Sequence, residues 1–116
     1  DIKAWQAARE LTRSIYAATR QEQFSRDFGL RDQIQRAAVS IMANIAEGFD
    51  RRSNKEFLNF LNIAFASCSE VKSHLYVALD QGYVIQSTFD SLYEQCAQVS
   101  KLTYGFINYL NNSTQP

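Results

Sequence analysis

The side chains in this sequence that are best suited to nucleophilic or metal chemistry are one histidine, His74, and two cysteines, Cys68 and Cys96. His74 lies six residues after Cys68, about 240° around a helix, so the two do not bind one ion together. Glu70 is four residues before His74, whereas carboxylate-histidine pairs in four-helix metal sites are about three residues apart. We therefore expect a half-exposed His74, two core cysteines and no metal site.

The glycines also argue against nucleotide chemistry. Phosphate-binding loops and dinucleotide fingerprints need clustered glycines after a strand, and the four glycines of this chain are scattered among predicted helices. No serine or cysteine lies in a recognised nucleophile turn. The sequence therefore predicts a protein that is not an enzyme and that uses no cofactor.

Two lines of polar or small side chains recur at spacings of three and four, which places each line along one helix. The first line is Gln33, Arg36, Ser40, Asn44 and Glu47. The second line is Asn59, Asn62, Ala66, Ser69 and Ser73. One such line would be interpreted as a solvated surface. Two lines favour an interface between subunits, because the side chains of the second are small and uncharged and lie opposite an apolar arc of roughly 160°, where about 100° would serve one core. We expect Asn44 and Glu47 to make buried or half-buried hydrogen bonds.

Basic residues form two candidate sites for nucleic-acid phosphates. Arg9, Arg13 and Arg20 fall within about 40° of one another on the first predicted helix, close to Tyr16. The second site, at the turn before the third helix, is Arg51, Arg52 and Lys55. Acidic residues at the same end of the protein offset this charge, so the signal from one subunit is weak: they are Asp1, Glu47, Asp50 and Glu56.

Four amphipathic helices account for the hydrophobic pattern, at about 2–21, 26–47, 54–80 and 88–111. The expected left-handed helix stops are Gly48 and Gly82. The expected N-terminal capping pairs are Ser53 with Glu56 and Ser87 with Asp90. The short connections predict antiparallel neighbours, hence an all-α, up-down-up-down four-helix bundle in a single domain spanning residues 1–116.

Charge and hydropathy limit the functional classes further. Twelve Lys and Arg balance twelve Asp and Glu, so any nucleic-acid binding depends on a local patch. No apolar stretch approaches the ~20 residues that span a bilayer, and the start of the chain lacks a signal pattern. We expect a cytoplasmic protein with no membrane association.

The motif R-A-A-V-S-I-x-x-N-I-A-E-G at 36–48, followed by R-x-S-x-x-E-F at 51–57, resembles the signature of the 23S rRNA-intervening sequence proteins. A-W-Q-A-A-R-E-L at 4–11 and F-G-L-R-D-Q at 28–33 extend this resemblance over nearly the whole chain. The family is one of four-helix bundles, and the resemblance implies a ring-like homopentamer. It also implies similarity to the accessory proteins of diversity-generating retroelements, which dock a reverse transcriptase.

Two functional hypotheses follow. The first is a homo-oligomeric scaffold that binds RNA or DNA through its arginine-rich patches. The second is an adaptor ring that docks another polypeptide, such as a reverse transcriptase. Periodicity predicts self-association through the two lines of short side chains, and the number of five subunits comes from the resemblance alone.

Overall fold

The computed structural model describes residues 3–113, which contain five α-helices and no strand. They are α1 (Lys3–Thr19), α2 (Glu22–Arg26), α3 (Phe28–Phe49), α4 (Asn54–Asp80) and α5 (Gln86–Ser113). α4 has the bounds predicted for the third helix, and α1 and α5 differ from prediction by one or two residues at each end. The predicted helix 26–47 is displaced to α3, because the separate helix α2 occupies a segment predicted as a turn.

The four long helices pack around a common core. α1 and α4 each pack against both α3 and α5, and the protein is elongated, 53 × 22 × 19 Å. The Thr12 hydroxyl donates to the Ala38 carbonyl oxygen at 3.2 Å, and Gln35 Nε2 donates to Thr19 Oγ1 at 2.9 Å. Residue numbers rise along α1 as they fall along α3 in these contacts, so the two helices are antiparallel.

Buried apolar side chains form one cluster along the bundle, as the three-four spacing predicts. Its predicted members in α1 and α3 are Ala8, Leu11, Ile15, Leu30, Ile34, Ala37, Ala38, Ile41 and Ile45. Those in α4 and α5 are Leu61, Ala64, Cys68, Val71, Leu75, Ala78, Phe89, Leu92, Cys96, Val99 and Leu110. The helices therefore turn their predicted faces inward. The first polar line lies at the edge of the inward face of α3, whereas the second line lies on the exposed side of α4, opposite the core.

Tertiary contacts hold α2, which at five residues is too short to be stable on its own. Phe24 is buried, and its ring stacks on that of Tyr83 at 5.4 Å between centroids. The Tyr83 hydroxyl donates to Asp27 Oδ2 at 3.0 Å, and this hydrogen bond raises the pKa of the Tyr83 phenol. Asp27 Oδ1 also accepts from the Leu30 N–H at 3.1 Å, which caps α3. The start of α3 is thus tied to the α4–α5 junction.

The predicted left-handed stop at Gly48 is wrong, because α3 continues through Gly48 to Phe49 with no left-handed residue. Gly48 is buried, and a Cβ there would lie 2.7 Å from Phe57 Cδ1. Glycine is needed at this position because the Phe57 ring of α4 packs directly against the α3 backbone.

The predicted stop at Gly82 is confirmed: its φ is 75°, in the left-handed region. The Gly82 N–H donates to the Leu79 carbonyl oxygen at 3.0 Å, and the Tyr83 N–H donates to that of Ala78 at 2.9 Å. This pair of bonds is the Schellman motif, which satisfies carbonyl groups at the end of α4.

The helix starts match prediction at α4 and differ at α5. The Ser53 hydroxyl caps α4, because it accepts from the Glu56 N–H at 3.2 Å. The same hydroxyl donates to the Glu56 carboxylate, whereas in a full capping box that carboxylate would accept from the Ser53 N–H. The predicted cap at Ser87 is wrong, because α5 begins at Gln86 and the Asp90 carboxylate accepts from the Gln86 side-chain amide.

None of the helices in residues 3–113 is long and apolar enough to cross a membrane.

Candidate nucleic-acid interface

The three arginines predicted on the first helix are all exposed, but only Arg9 and Arg13 lie on α1, and Arg20 lies in the turn directly after it. The Arg9 guanidinium lies over the Trp5 ring, 6.0 Å from its centroid, one helical turn away. Arg13 Nη1 pairs with Glu10 Oε1 at 2.9 Å, and both side chains are more than half exposed, so this ion pair contributes little to stability and leaves Arg13 open to a ligand. Arg20 lies at the end of the same ridge.

Tyr16 extends this arginine surface toward α3. Its ring is 37% exposed and lines a shallow groove of about 320 Å³ together with Asp32, Gln35, Arg36 and Val39. Arg36 also lines a groove of about 520 Å³ on the other side of α3, toward α4. Arg36 belongs to the first polar line, which is predicted to form an interface, and its position beside Tyr16 adds a fourth cation to the arginine surface of α1.

The three basic residues predicted at the turn before α4 are also exposed, but they differ in their surroundings. Arg51 Nη2 bonds the Glu47 carboxylate, its Nε donates to the Glu47 carbonyl oxygen at 3.2 Å, and its guanidinium lies 5.3 Å from the Phe60 ring centroid. Among the described residues, neither Arg52 nor Lys55 pairs with a carboxylate. Arg51 is therefore held by its own chain, and Arg52 and Lys55 supply the accessible charge.

Aromatic rings cluster at the same end of the bundle. The rings of Phe49, Phe57 and Phe106 pack pairwise at centroid distances of 4.9, 5.2 and 5.4 Å. Tyr109 meets Phe106 edge-on at 6.2 Å and is 66% exposed, while Phe49 is 38% exposed. Exposed rings beside cations are the elements that hold single-stranded bases and phosphates.

The first polar line divides into an inner and an outer part. Ser40 and Asn44 are half-buried: Asn44 Nδ2 donates to the Ser40 carbonyl oxygen at 2.8 Å, and the Ser40 and Ser67 hydroxyls are 3.0 Å apart across α3 and α4. Gln33, Arg36 and Glu47 are exposed. The predicted half-buried hydrogen bond of Asn44 is confirmed, whereas Glu47 makes an exposed ion pair with Arg51.

The outer face of the α3–α4 pair is uncharged over about half of its length. Residues 37–46 of α3 and 57–69 of α4 include no charged side chain. Val39 is 43% exposed and Ile63 is 46% exposed, and the predicted line on α4, including Asn59 and Asn62, is exposed as well. We call the exposed residues of these two segments the uncharged face.

The side chains capable of nucleophilic or metal chemistry lie apart from these surfaces. Cys68 and Cys96 are free and buried, and burial raises the pKa of both thiols, that of Cys96 to about 12. His74 is half-buried, and its Nε2 atom is buried without a hydrogen-bond partner in the described part of the chain. Residues 3–113 contain no cluster of three or more His, Cys, Asp or Glu that could hold a metal ion.

Comparison with known proteins places this sequence in a family and finds its fold in a solved structure. The sequence profile described as 23S rRNA-intervening sequence protein matches residues 1–105. The chain belongs to this family. It is also similar to a crystal structure of a protein of unknown function from the S23 ribosomal protein family of Bacteroides thetaiotaomicron, with 27% identity and a TM-score of 0.83 over 90% of this chain and 97% of that one. No curated protein matches.

In this 23S rRNA-intervening sequence protein, the matched region includes both arginine sets, the first polar line and the uncharged face. Sequence reasoning missed the local partners of the arginines. Trp5 and Arg9, and Glu47 and Arg51, are each four residues apart, a spacing that brings side chains together on a helix and could have revealed both contacts.

Proposed function

We propose that this chain is a non-catalytic, self-associating scaffold of the cytoplasm that binds RNA or DNA. The observation that carries the proposal is the α1 surface, where exposed Arg9, Arg13 and Arg20 lie on one ridge beside Trp5 and Tyr16. Phosphate groups bind arginine, and aromatic rings stack on bases, so this combination suits a nucleic acid better than an acidic peptide.

Self-association supports the same function. A single subunit has no net charge, so a patch of a few arginines attracts nucleic acid weakly. Several copies in one closed assembly would present the patch repeatedly, and simultaneous contacts raise the apparent affinity without any new residue. We propose the uncharged face as the contact between subunits, because its exposed side chains are short and Val39 and Ile63 remain open to solvent. The family resemblance implies five subunits.

Nucleic-acid binding is tested by fluorescence anisotropy with labelled single- and double-stranded RNA and DNA at several salt concentrations. Arginine-phosphate contacts release counterions, so the double variant Arg9→Gln, Arg13→Gln should weaken binding and reduce the log-log salt slope by about 0.7 to 0.9 per lost contact. The matched control, Arg26→Gln with Lys101→Gln, removes the same charge away from the α1 ridge and should leave the slope nearly unchanged.

Two results would contradict the assignment of the α1 surface. The first is the absence of binding to any of these nucleic acids at low salt. The second is a slope that falls equally in the test variant and in the control. If the slope falls only with Arg52→Gln and Lys55→Gln, the site lies at the α3–α4 turn.

Assembly is tested separately by light scattering. We expect a mass several times the 13.3 kDa of the chain, and five times that mass for the implied pentamer. Ala66→Glu places a charge on the uncharged face and should lower the mass, whereas Gln98→Glu adds the same charge to an exposed position of α5 and should not. A mass near that of one chain at micromolar concentration would contradict self-association.

A second candidate function is an adaptor that docks another polypeptide, such as a reverse transcriptase. The observation that favours it is the aromatic cluster, because exposed Phe49 and Tyr109 could equally anchor a protein partner. A pull-down from the native host, with and without nuclease, separates the two candidates. Partners that survive nuclease treatment and are lost with Tyr109→Ala would favour the adaptor.

A further inference from the structure

An exposed aromatic ring lies in the groove between α1 and α3, within the basic surface of α1. Tyr16 forms one wall of this groove and Val39 of α3 forms another, and their exposed fractions are 37% and 43%. The volume of the groove, which we call the Tyr16 groove, is about 320 Å³. A flat apolar ligand that covers both side chains would remove this surface from water, which favours binding.

Three guanidinium groups surround the Tyr16 ring. Arg13 precedes Tyr16 by three residues and Arg20 follows it by four, and these spacings place side chains on the same side of a helix. Arg36 of α3 lines the same groove. Within residues 3–113, neither Arg20 nor Arg36 forms an ion pair, and the ion pair of Arg13 is exposed. All three guanidinium groups are therefore available to bind phosphates.

The polar side chains of the groove suit the edge of a base better than a phosphate. Asp32 lines the groove, and its carboxylate repels a phosphate but accepts from the N–H groups of a base. Asp32 Oδ1 already accepts from Arg31 Nε at 3.1 Å, so Oδ2 is the oxygen left for a ligand. Gln35 is held in place because its Nε2 donates to Thr19 Oγ1 at 2.9 Å. The groove therefore takes a base, and the phosphates on either side of that base lie on the arginines.

A base can enter this groove only when it is unpaired. In a duplex both faces of each base are covered by neighbouring bases and its edge is paired, so stacking on a side chain requires the base to be flipped out at a cost in free energy. In a single strand the faces and the edge are free, and aromatic side chains hold such bases by stacking. The exposed ring among the arginines thus distinguishes a single strand from a duplex.

We infer that the Tyr16 groove binds one unpaired base of a single-stranded RNA or DNA, stacked on the Tyr16 ring, with the flanking phosphates on the three arginines around it. This inference rests on the proposed nucleic-acid binding and narrows it to single strands. It also gives the residues of one surface two roles. The arginines attract any nucleic acid, and Tyr16 supplies the preference for an unpaired one.

The test is fluorescence anisotropy at constant salt with a labelled single strand of about eight nucleotides, its duplex, and an abasic single strand that keeps every phosphate. The native chain should bind the base-containing single strand about tenfold more tightly than the abasic strand, because stacking of one base supplies a factor of this order. It should also bind the single strand more tightly than the duplex, although the duplex carries more phosphate charge.

Tyr16→Leu keeps an apolar side chain and removes the ring. It should weaken binding of the base-containing strand about tenfold and leave the duplex, the abasic strand and the salt slope unchanged, since the arginines remain. Tyr16→Phe keeps the ring and should bind like the native chain. Tyr104→Leu is the matched control and should also bind like the native chain, because Tyr104 is 53% exposed but packs against Phe65 on the α4–α5 side of the bundle.

Equal affinities for the base-containing and abasic strands, or an equal loss for both strands in Tyr16→Leu, would overturn the inference. If these equal affinities still fall with Arg9→Gln and Arg13→Gln, nucleic-acid binding by the α1 surface stands and only the base site is wrong. The absence of binding to every strand at low salt would overturn both. Because the abasic comparison uses the native chain, it decides the question even if Tyr16→Leu does not fold.

Discussion

The α3–α4 and α4–α5 junctions each contain a glycine at or near a helix end, and the two glycines meet different physical needs. Gly48 keeps helical geometry and is in contact range of the Phe57 ring, whereas Gly82 has a φ of 75° and nothing within 4 Å of the position of a Cβ. One is selected by packing and the other by backbone conformation. A glycine near a helix end therefore indicates a left-handed turn only where no neighbouring side chain claims the space of its missing Cβ.

The strongest test of this difference is Gly48→Ala. The new methyl group would lie 2.7 Å from Phe57 Cδ1, so we expect a loss of about 2 to 3 kcal/mol in the free energy of unfolding, measured by urea denaturation. Phe57→Leu should cost less in the Gly48→Ala background than in the native chain, because the smaller side chain relieves the clash. Additive losses would contradict the packing explanation.

Asp27, the cap of α3, accepts a hydrogen bond from Tyr83 at the α4–α5 junction. At this junction the largest effect is expected from Asp27→Ala, with a loss of about 1 to 2 kcal/mol in the free energy of unfolding. The substitution removes both the cap of α3 and the acceptor for the Tyr83 hydroxyl. Tyr83→Phe deletes only the second interaction and should cost less in thermal denaturation. Equal losses in the two variants would mean that the cap contributes nothing.

Gly82→Ala should cost about 1 kcal/mol, because a Cβ disfavours the left-handed conformation even where space is free. Asparagine tolerates this conformation better, so Gly82→Asn should be less harmful than Gly82→Ala. At Gly48 the order should reverse, since the larger side chain worsens the clash. The comparison would fail if alanine and asparagine ranked in the same order at both positions by chemical denaturation.

The smallest expected effect is a gain at Gly105, which serves as a reference inside α5. It is exposed, has no left-handed conformation, and has nothing within 4 Å of the point that an added methyl group would occupy. Gly105→Ala should therefore raise the free energy of unfolding by about 0.5 to 1 kcal/mol through helix propensity. Destabilisation in the same denaturation assay would reveal a constraint at this position that the packing does not account for.

Local patterns predicted much of the fold. The bounds of α4, its cap at Ser53 and the left-handed turn at Gly82 depend on residues close in sequence. α2 was not predictable in the same way, because Phe24 is anchored by Tyr83, 59 residues later. The role of Gly48 likewise depends on how closely α4 approaches α3, which periodicity does not specify.

The candidate site likewise combines features that local spacing predicts with features that depend on how the helices pack. Helical spacing predicted the ridge of Arg9, Arg13 and Arg20, and the same spacing relates Glu47 to Arg51, although the pair was not predicted. The position of Arg36 beside Tyr16 and the groove that they line require knowledge of which helices are neighbours. These features follow from the assembled bundle, and no single helix contains them.

The buried thiols also make this chain convenient for single-molecule work. Cys68 and Cys96 are enclosed in the core, out of reach of a maleimide dye, and burial also raises the pKa of each thiol, which disfavours the reactive thiolate. A cysteine introduced on the surface, as in Gln98→Cys, would be labelled selectively without removing a native residue of the core. The number of photobleaching steps from one immobilised particle would then count the copies of the chain in it.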